Sequence, residues 1–317
     1  MKRIFIIPIL LLLFMPDHTA RSQEASITTG VIGFQEGKGA SKKSAAVAAE
    51  LGEVLARYRF ITLIERAKLD SLVKEIELGQ SGLVDDSAAA KAGRMRGCKI
   101  LVTGSIRDNR VTARAIHTET AKVIASGSAD MSGIEALGTR LASGIESHLA
   151  RESLRTLRND SPDIDLEFRA EGGRGKAIIT PRATGSMKIG DPVIFRFKSS
   201  MRGYLTIVDV QPGGDVVLLF PNDMNPSSEV RAGVEYSIPG NDDGYEITAT
   251  EPAGRDTVVA FFTAKRVEWL DMKKLAGTGF KTVREGERAF AARGFAVTAT
   301  RLRKSEWESA ILEIDVK

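Results

Sequence analysis

The stretch that decides the fold is RFITLIERAKLDSLVKEIELGQSGLVDDSAAAKAGRMRGCKILVTGSI, residues 59–106. It opens with a β-branched, apolar run that predicts a strand, and apolar residues then recur at helical spacing from Leu69 to Ile76. After a glycine-containing break, an alanine-rich helix is expected to stop at Gly97. The apolar run 99–106 predicts the returning strand. Strands that alternate with helices in this way are typical of a sheet covered by helices.

The flanking sequence extends the same unit. Three further strands and two further helices are expected: strands 26–34, 110–116 and 121–129, and helices 41–58 and 134–157. Ser41 is expected to cap the first helix through its hydroxyl. We therefore predict an α/β N-terminal domain over residues 26–158, a mixed sheet with covering helices.

The composition changes at the polar, proline-containing segment 159–165, which predicts a linker. Beyond it, short β-rich runs alternate with glycine-containing turns over residues 166–317, a pattern typical of a sandwich or barrel. We expect a mainly-β, sandwich-like C-terminal domain that closes with a strand at 310–316. A helical patch is expected near 269–275, and the rest of the sequence after residue 266 is less regular.

Residues 1–22 predict a signal peptide. Two basic residues precede the apolar run 4–15, which is short for a bilayer span, and Ala20 and Ser22 are the small residues of a cleavage site. An uncleaved anchor helix is the alternative.

The sequence has a single cysteine, Cys98. An internal disulfide is therefore excluded, and so is a lipid-bearing cysteine at the cleavage site. The context of Cys98 predicts a small buried hydrophobic side chain. We expect an exported, periplasmic protein that does not span the membrane, with peripheral outer-membrane association as a further option.

The charge balance argues against nucleic acid as a partner. The chain has 45 Lys and Arg residues against 41 Asp and Glu, a formal net charge of +4. A nucleic-acid-binding surface usually needs a dense basic stripe, commonly interleaved with aromatic residues, and the sequence contains none.

The glycine- and lysine-rich loop GFQEGKGASKKS, residues 33–44, lies between a predicted strand and a predicted helix, as a phosphate-binding loop does. Only three residues separate its first two glycines where the P-loop needs four, and the following lysine precedes glycine rather than serine or threonine. We therefore predict no nucleotide and no other cofactor. The loop lysines are instead candidates for contact with an acidic partner surface: Lys38, Lys42 and Lys43.

Catalytic and metal-binding patterns are also missing from the sequence. Acidic residues such as Glu65 and Asp70 lie at helix starts, where capping explains them better than acid–base chemistry. His117 and His148 stand far apart and in no zinc-binding spacing. The segment GNDDGYE, 240–246, fails the EF-hand template, so a turn is expected there and an irregular cation site is the alternative. We predict no catalytic residue and no metal ligand.

Several features of the opening stretch, taken together, resemble a known family. A strand entering Glu-Arg, a Leu-Asp-x-Leu helix, a Ser-Gly-Leu turn and a Gly-Cys-x-Ile-Leu-Val-x-Gly strand are similar to the curli-secretion (CsgG-like) family over about residues 29–150. The same core occurs in accessory proteins of flagella and cell-wall synthesis. Channel-forming members carry an N-terminal lipidated cysteine and long transmembrane hairpins, and this sequence has neither. The resemblance implies a soluble envelope scaffold rather than a pore.

The second half resembles an uncharacterised β-rich domain family found on envelope proteins, over about residues 164–317. The resemblance rests on RGYLTIVDVQPGGDVVLLFPND, with its Gly-Tyr-Leu strand, glycine hairpin and Leu-Phe-Pro-Asn exit, and on the later VRAGVEYSIPG and EPAGRDTVVAFFT. Tyr204 and Phe220 bracket the hairpin. Together with Asn222 they are candidate interaction residues.

The sequence therefore predicts a non-enzymatic exported scaffold or accessory factor for secretion or surface-structure assembly. Its expected partners are envelope proteins of secretion, flagellar or cell-wall machinery, and an oligomer is compatible with the sequence. One alternative is a carbohydrate- or peptidoglycan-binding protein acting through the β-rich domain. A second is a hydrolase with an unrecognised site, which the absence of a cleft with converging polar side chains would exclude.

Overall fold

The structure is a computed structural model. It describes residues 26–36, 43–64, 90–91, 94, 97–173, 177–181, 183–267 and 275–317. Several predictions lie wholly or largely outside these residues: the signal peptide 1–22, the helices around 66–78 and 86–97, and the helical patch near 269–275.

Within the described residues, the first half of the chain forms a six-stranded sheet. Its strands are β1 (Ile27–Val31), β2 (Gln35–Glu36), β3 (Ile61–Leu63), β4 (Ile100–Arg107), β5 (Arg110–His117) and β6 (Lys122–Asp130). The order across the sheet is β3-β1-β4-β5-β6, and β2 pairs with β4. β1 is parallel to β3 and β4, whereas β4, β5 and β6 are joined as antiparallel hairpins.

Helices α1 (Ser44–Ala56) and α2 (Ile134–Arg155) cover one face of this sheet. Leu51 and Leu55 of α1 are one helical turn apart, so both side chains reach the same core as Leu141 of α2. In β4, alternate residues point to opposite faces, which places Val102 in this core and Leu101 in a smaller cluster on the other side.

The second half consists largely of strands. They are β7 (Leu166–Gly172), β8 (Ala177–Ile179), β9 (Gly185–Met187), β10 (Pro192–Ser199), β11 (Gly203–Val210), β12 (Val216–Phe220), β13 (Glu229–Val230), β14 (Glu235–Ile238), β15 (Ile247–Thr248), β16 (Gly254–Thr263), β17 (Leu275–Ala276), β18 (Lys281–Val283) and β19 (Trp307–Val316). Helix α3 (Arg288–Arg301) and a short 3₁₀ helix (Lys304–Glu306) precede β19.

The described part of this half contains two sheets. One has the order β14-β10-β7-β8 with β15 beside β10, and the other has the order β17-β18-β12-β11-β16-β19-β9 with β13 beside β11. Alternate side chains of β10, such as Phe195 and Phe197, join one apolar cluster with Ile207 and Phe262 of the larger sheet. The two sheets therefore share a core.

Helix α2 belongs to both halves. Its first turns pack on the six-stranded sheet, whereas Ala150 and Leu154 pack on the outer face of the eight-stranded sheet together with Phe295 of α3. One continuous helix thus contributes to two cores.

The structure is mostly strand, with three helices and three sheets among the described residues, which agrees with the predicted mixture of helix and sheet. No helix in the described ranges is both long and apolar enough to cross a membrane. Several elements were not predicted from the sequence. The longest are α3, in the less regular segment after residue 266, and β7, whose last residues are part of the expected glycine loop at 171–176; the short strands β2, β9, β13, β17 and β18 were also not predicted.

Candidate functional site

The described ends of the loop after β1, residues 33–36 and 43–44, are joined by hydrogen bonds. The backbone N–H of Phe34 donates to Ser44 Oγ at 2.7 Å, and the backbone N–H of Ser44 donates to Glu36 Oε1 at 2.7 Å. A carboxylate therefore sits at the N-terminus of α1, where a phosphate would meet a like charge. Lys43 is half-buried beside it, and Lys38 and Lys42 lie outside the described residues.

The three candidate residues of the second half lie in different environments. Tyr204 is half-buried on β11. Phe220 is buried, with its ring centroid 5.7 Å from that of Phe197. Asn222 is also buried, and its amide donates to the carbonyl oxygen of Leu219 while its carbonyl accepts two backbone N–H groups of the following turn. Phe220 and Asn222 thus build the core and a turn, and an interaction role for the three residues stays a prediction.

The segment 240–246 is a turn closed by its own carboxylate. Asp243 Oδ2 accepts from the backbone N–H of Gly240 at 2.6 Å, and Oδ1 accepts from the side-chain amide of Asn225 at 3.3 Å. Across the described residues, no group of three or more His, Cys, Asp or Glu side chains is placed to hold a metal ion.

The two histidines that stand far apart in the sequence meet in the structure. His117 ends β5, His148 lies on α2, and their ring centroids are 5.3 Å apart in an edge-on arrangement. Burial lowers the pKa of His148, and this favours a neutral imidazole. Two imidazoles fall short of the four ligands of a structural zinc site, so the pair is a packing contact.

The most informative site was not foreseen in the sequence. A cavity of about 300 Å³ lies between the two sheets of the second half. Its walls are mostly apolar side chains from both sheets, among them Val193, Phe195, Val217, Leu219 and Ile314. Three acidic residues, Asp209, Glu246 and Asp256, also line it, and the two aspartates lie on neighbouring strands.

Strand register explains why two aspartates point between the sheets. Asp209 on β11 is opposite Val258 on β16, and Asp256 precedes Val258 by two residues. Because side chains alternate along a strand, all three point to the same face, and the two aspartates are diagonal neighbours. Ile207 and Val258 on this face belong to the shared core, so the carboxyl groups occupy positions that the pattern reserves for apolar residues.

Burial controls the protonation of this pair. Burial raises the pKa of Asp209 well above its ordinary value, and the charge of Asp256 raises it further. Burial also raises the pKa of Asp256 to about 7, although the positive charge of Arg151 opposes the shift. Asp209 is 7% exposed, and within the described chain Oδ1 of each aspartate has no hydrogen-bond partner. The pair therefore keeps at least one proton near neutral pH.

Helix α2 contacts the turn between β11 and β12, which lies beside the cavity. The guanidinium of Arg151 donates to the carbonyl oxygen of Gln211 at 2.8 Å. One helical turn earlier, Ser147 packs against Gly214, where an added Cβ would lie 1.6 Å from Ser147 Oγ. Gly214 has φ +97°, a backbone conformation that favours glycine. Arg151 thus fixes the turn between β11 and β12 next to the two aspartates.

A third buried carboxylate ties α2 to α3. Glu146 is fully buried, and its oxygens accept the backbone N–H groups of Gly286, Arg288 and Ala289 at 3.0, 2.8 and 3.4 Å. Burial raises the pKa of Glu146, and these hydrogen bonds oppose the shift. Its negative charge at the N-terminus of α3 suits the helix dipole. Unlike the cavity aspartates, this carboxylate has hydrogen-bond donors.

These features define a mixed α/β module joined through one helix to a β module with a cavity between its two sheets. Residues 21–111 match the family described as curli production assembly/transport component CsgG, and residues 186–266 match a domain of unknown function, DUF4384. The chain thus carries a CsgG-like domain followed by a domain of that uncharacterised family, which confirms the two resemblances predicted from the sequence.

Part of this chain's fold is similar to solved structures, which include three from different proteins. The LpoB C-terminal domain from Escherichia coli is 21% identical, covers 33% of this chain and 82% of its own, and has a TM-score of 0.27. The PelC dodecamer from Paraburkholderia phytofirmans is 9% identical over 38% of this chain and 87% of its own, with a TM-score of 0.23. TolB from Acinetobacter baumannii is 10% identical over 75% and 66%, with a TM-score of 0.26. TM-scores below 0.3 are too low to assign a function to this chain. No curated protein matches the chain.

Proposed function

We propose that the chain is a non-enzymatic accessory protein of the cell envelope that acts in the periplasm through protein–protein contacts. The observation that carries this proposal is the match of residues 21–111 to the CsgG family, whose description names curli assembly and transport. Export through residues 1–22 belongs to the same proposal, with peripheral outer-membrane association as an option. Secretion, flagellar or cell-wall machinery is the expected partner.

We assign a role to each half. Residues 26–158 are the scaffold domain, 159–165 the linker, and 166–317 a sandwich-like binding module, because the facing side chains of its two sheets share one core. Helix α2 and the buried Glu146 hold the halves together, so a partner bound to one half is presented at a fixed position relative to the other. The loop lysines are the proposed contact with an acidic partner: Lys38, Lys42 and Lys43.

A hydrolase is the second candidate, because two carboxyl groups with raised pKa values converge in a cavity. Glycosidases use such a pair, one carboxyl protonated and one ionised, on either side of the bond that breaks. Apolar side chains make up most of the cavity lining, but Gln211, Glu246, Thr248 and Thr250 also line it, so sugar hydroxyls would find partners on part of the wall only. Binding of intact sacculi to the outer surface is tested by co-sedimentation of the purified chain with peptidoglycan.

Site-specific photo-crosslinking in intact cells tests the scaffold proposal. A photoreactive residue at Lys43 or at Val123 of β6, which is 43% exposed, samples the first half, and one at Ile178, which is 63% exposed, samples the second. We expect the first two positions to capture identifiable envelope assembly proteins in a periplasmic fraction. Products no different from those of an uncrosslinked sample at all three positions would overturn the proposal. Turnover of a peptidoglycan fragment that Asp256→Asn abolishes would favour the hydrolase instead.

A further inference from the structure

We propose that the cavity between the two sheets binds an ammonium group on an apolar stem, such as a small aliphatic amine or a lysine side chain, through Asp209 and Asp256. This inference does not rest on the envelope role, since it concerns residues outside the CsgG-like half. Four properties of the cavity support it: an unpaired buried carboxyl, the placement of its neighbour, the chemistry of the walls and the local charge.

The first property is the unpaired acceptor. Asp209 is more than nine-tenths buried, lines the cavity, and has one carboxyl oxygen with no hydrogen-bond partner in the described chain. A buried polar atom that has left water without gaining a partner is costly. A ligand N–H that bonds the Asp209 carboxyl, once the carboxyl has rotated toward the cavity, would offset that cost.

The second property is the placement of Asp256 beside Asp209. A diagonal pair on neighbouring antiparallel strands lies close enough for one small group to reach both carboxyls. An ammonium group carries three N–H donors and a full positive charge, so it can bond both aspartates. Calcium would need six to eight oxygen ligands, and the described residues form no metal-ligating group of three.

The third property is the apolar wall. Side chains such as Val193, Phe195 and Leu219 make up most of the lining, with polar residues at Gln211, Glu246, Thr248 and Thr250, so a largely apolar ligand stem fits the cavity. A cavity of about 300 Å³ is roughly twice the size of an apolar cavity of ~150 Å³ that accommodates benzene. The occupant is therefore small, comparable with a pentyl or hexyl chain that ends in an amine.

The fourth property is the charge around the pair. Glu246 lines the same cavity, and Arg151 on α2 is the cation that acts on both aspartates. Arg151 directs a hydrogen bond to the backbone of Gln211. In the empty cavity burial keeps at least one proton on the pair near neutral pH, whereas an ammonium group favours both ionised carboxylates. Binding should therefore release protons, and affinity should rise with pH between about 5.5 and 8 while the amine stays charged.

Isothermal titration calorimetry on the purified full chain tests the proposal with hexylamine, 1-hexanol and hexanoate, which share a six-carbon stem and differ in charge. We expect hexylamine alone to bind, about tenfold more tightly at pH 8 than at pH 5.5, with proton release seen as a heat that depends on the buffer. Asp209→Asn and Asp256→Asn should each weaken binding at least tenfold. Asp315→Asn, on the neighbouring strand and paired with Arg255, should leave it unchanged.

Three results would overturn the inference: no binding of hexylamine at 10 mM, equal binding of hexanol, or affinity unchanged in both cavity variants. The comparison between hexylamine and hexanol uses the unmodified chain, so it does not depend on the variants folding. A lysine-containing peptide separates the sources of the ligand. Binding of the peptide supports a protein partner, and binding of hexylamine without the peptide supports a free amine.

Discussion

Replacing Asp256 by asparagine should make the protein more stable at alkaline pH and leave it unchanged at acid pH. Burial raises the pKa of Asp256 from its ordinary value of 3.8 to about 7 in the folded protein. The folded state therefore holds a proton that the unfolded chain releases at lower pH. The stability that comes from this proton is fully present below about pH 4 and is lost as the pH rises through 7. Asparagine keeps the shape of the protonated acid and does not titrate.

The size of the effect follows from the pKa shift. A change from 3.8 to about 7 is a little over three pKa units, at ~1.4 kcal/mol each, which sets an upper limit of about 4 kcal/mol. Asp256 keeps some exposure, so solvent screening reduces the expected gain to about 2 kcal/mol. For a chain of this size, whose unfolding entropy is roughly 0.65 kcal/mol per K, such a gain raises the melting temperature by about 3 °C.

Thermal unfolding of the wild type and Asp256→Asn at pH 4, close to the ordinary pKa of 3.8, and at pH 8 measures this difference directly. Asp315→Asn is the matched control, because the hydrogen bond from Arg255 lowers the pKa of Asp315 and its loss should slightly destabilise the protein at pH 8. A variant that is equally stable relative to wild type at both pH values would refute the reasoning. It would show that Asp256 is ionised and solvated in the folded protein.

Three further predictions concern packing and burial. Glu146→Gln should cost about 2–3 kcal/mol, because charged hydrogen bonds to α3 are lost; the exposed Glu135→Gln is its control in thermal unfolding. Gly214→Ala should lower the melting temperature much more than Gly233→Ala, since both have positive φ but only Gly214 meets another side chain, that of Ser147. Cys98 is buried and burial raises the pKa of its thiol to about 11, so alkylation should be slow in the native protein and fast in urea.

The strands were readable from the sequence where alternation and turn signals agree. β11 was predicted over residues 203–210 and has those bounds, because apolar side chains alternate and glycine turns flank it. Helix α2 was predicted from residue 134 for a similar reason, since its leucines recur at helical spacing. Helix α3 was not predicted, because its sequence mixes arginine, glycine and strand-forming residues. Its contacts with α2 and the larger sheet stabilise it in the folded protein.

The cavity could not be predicted in the same way. Asp209 and Asp256 lie far apart along the chain, and each looks like one polar residue in an apolar strand. Only the pairing of β11 with β16 makes them neighbours. A usable signal did exist, because Asp209 falls on the inward-facing positions of β11 together with Leu205 and Ile207. An acidic residue at an inward position indicates either a structural hydrogen bond or a ligand site.

The buried carboxyl groups of this protein show how a structural hydrogen-bonding residue differs from a residue of a ligand site. Glu146 is more deeply buried than Asp209, and burial raises the pKa of both, so neither burial nor pKa separates them. The difference is in their partners: Glu146 accepts three backbone N–H groups at the start of α3, whereas Asp209 lines a cavity and its buried Oδ1 has no partner among the described residues. A satisfied carboxylate stabilises the fold and needs no ligand. An unsatisfied one that lines an apolar cavity costs stability, and a ligand that supplies a donor would offset that cost.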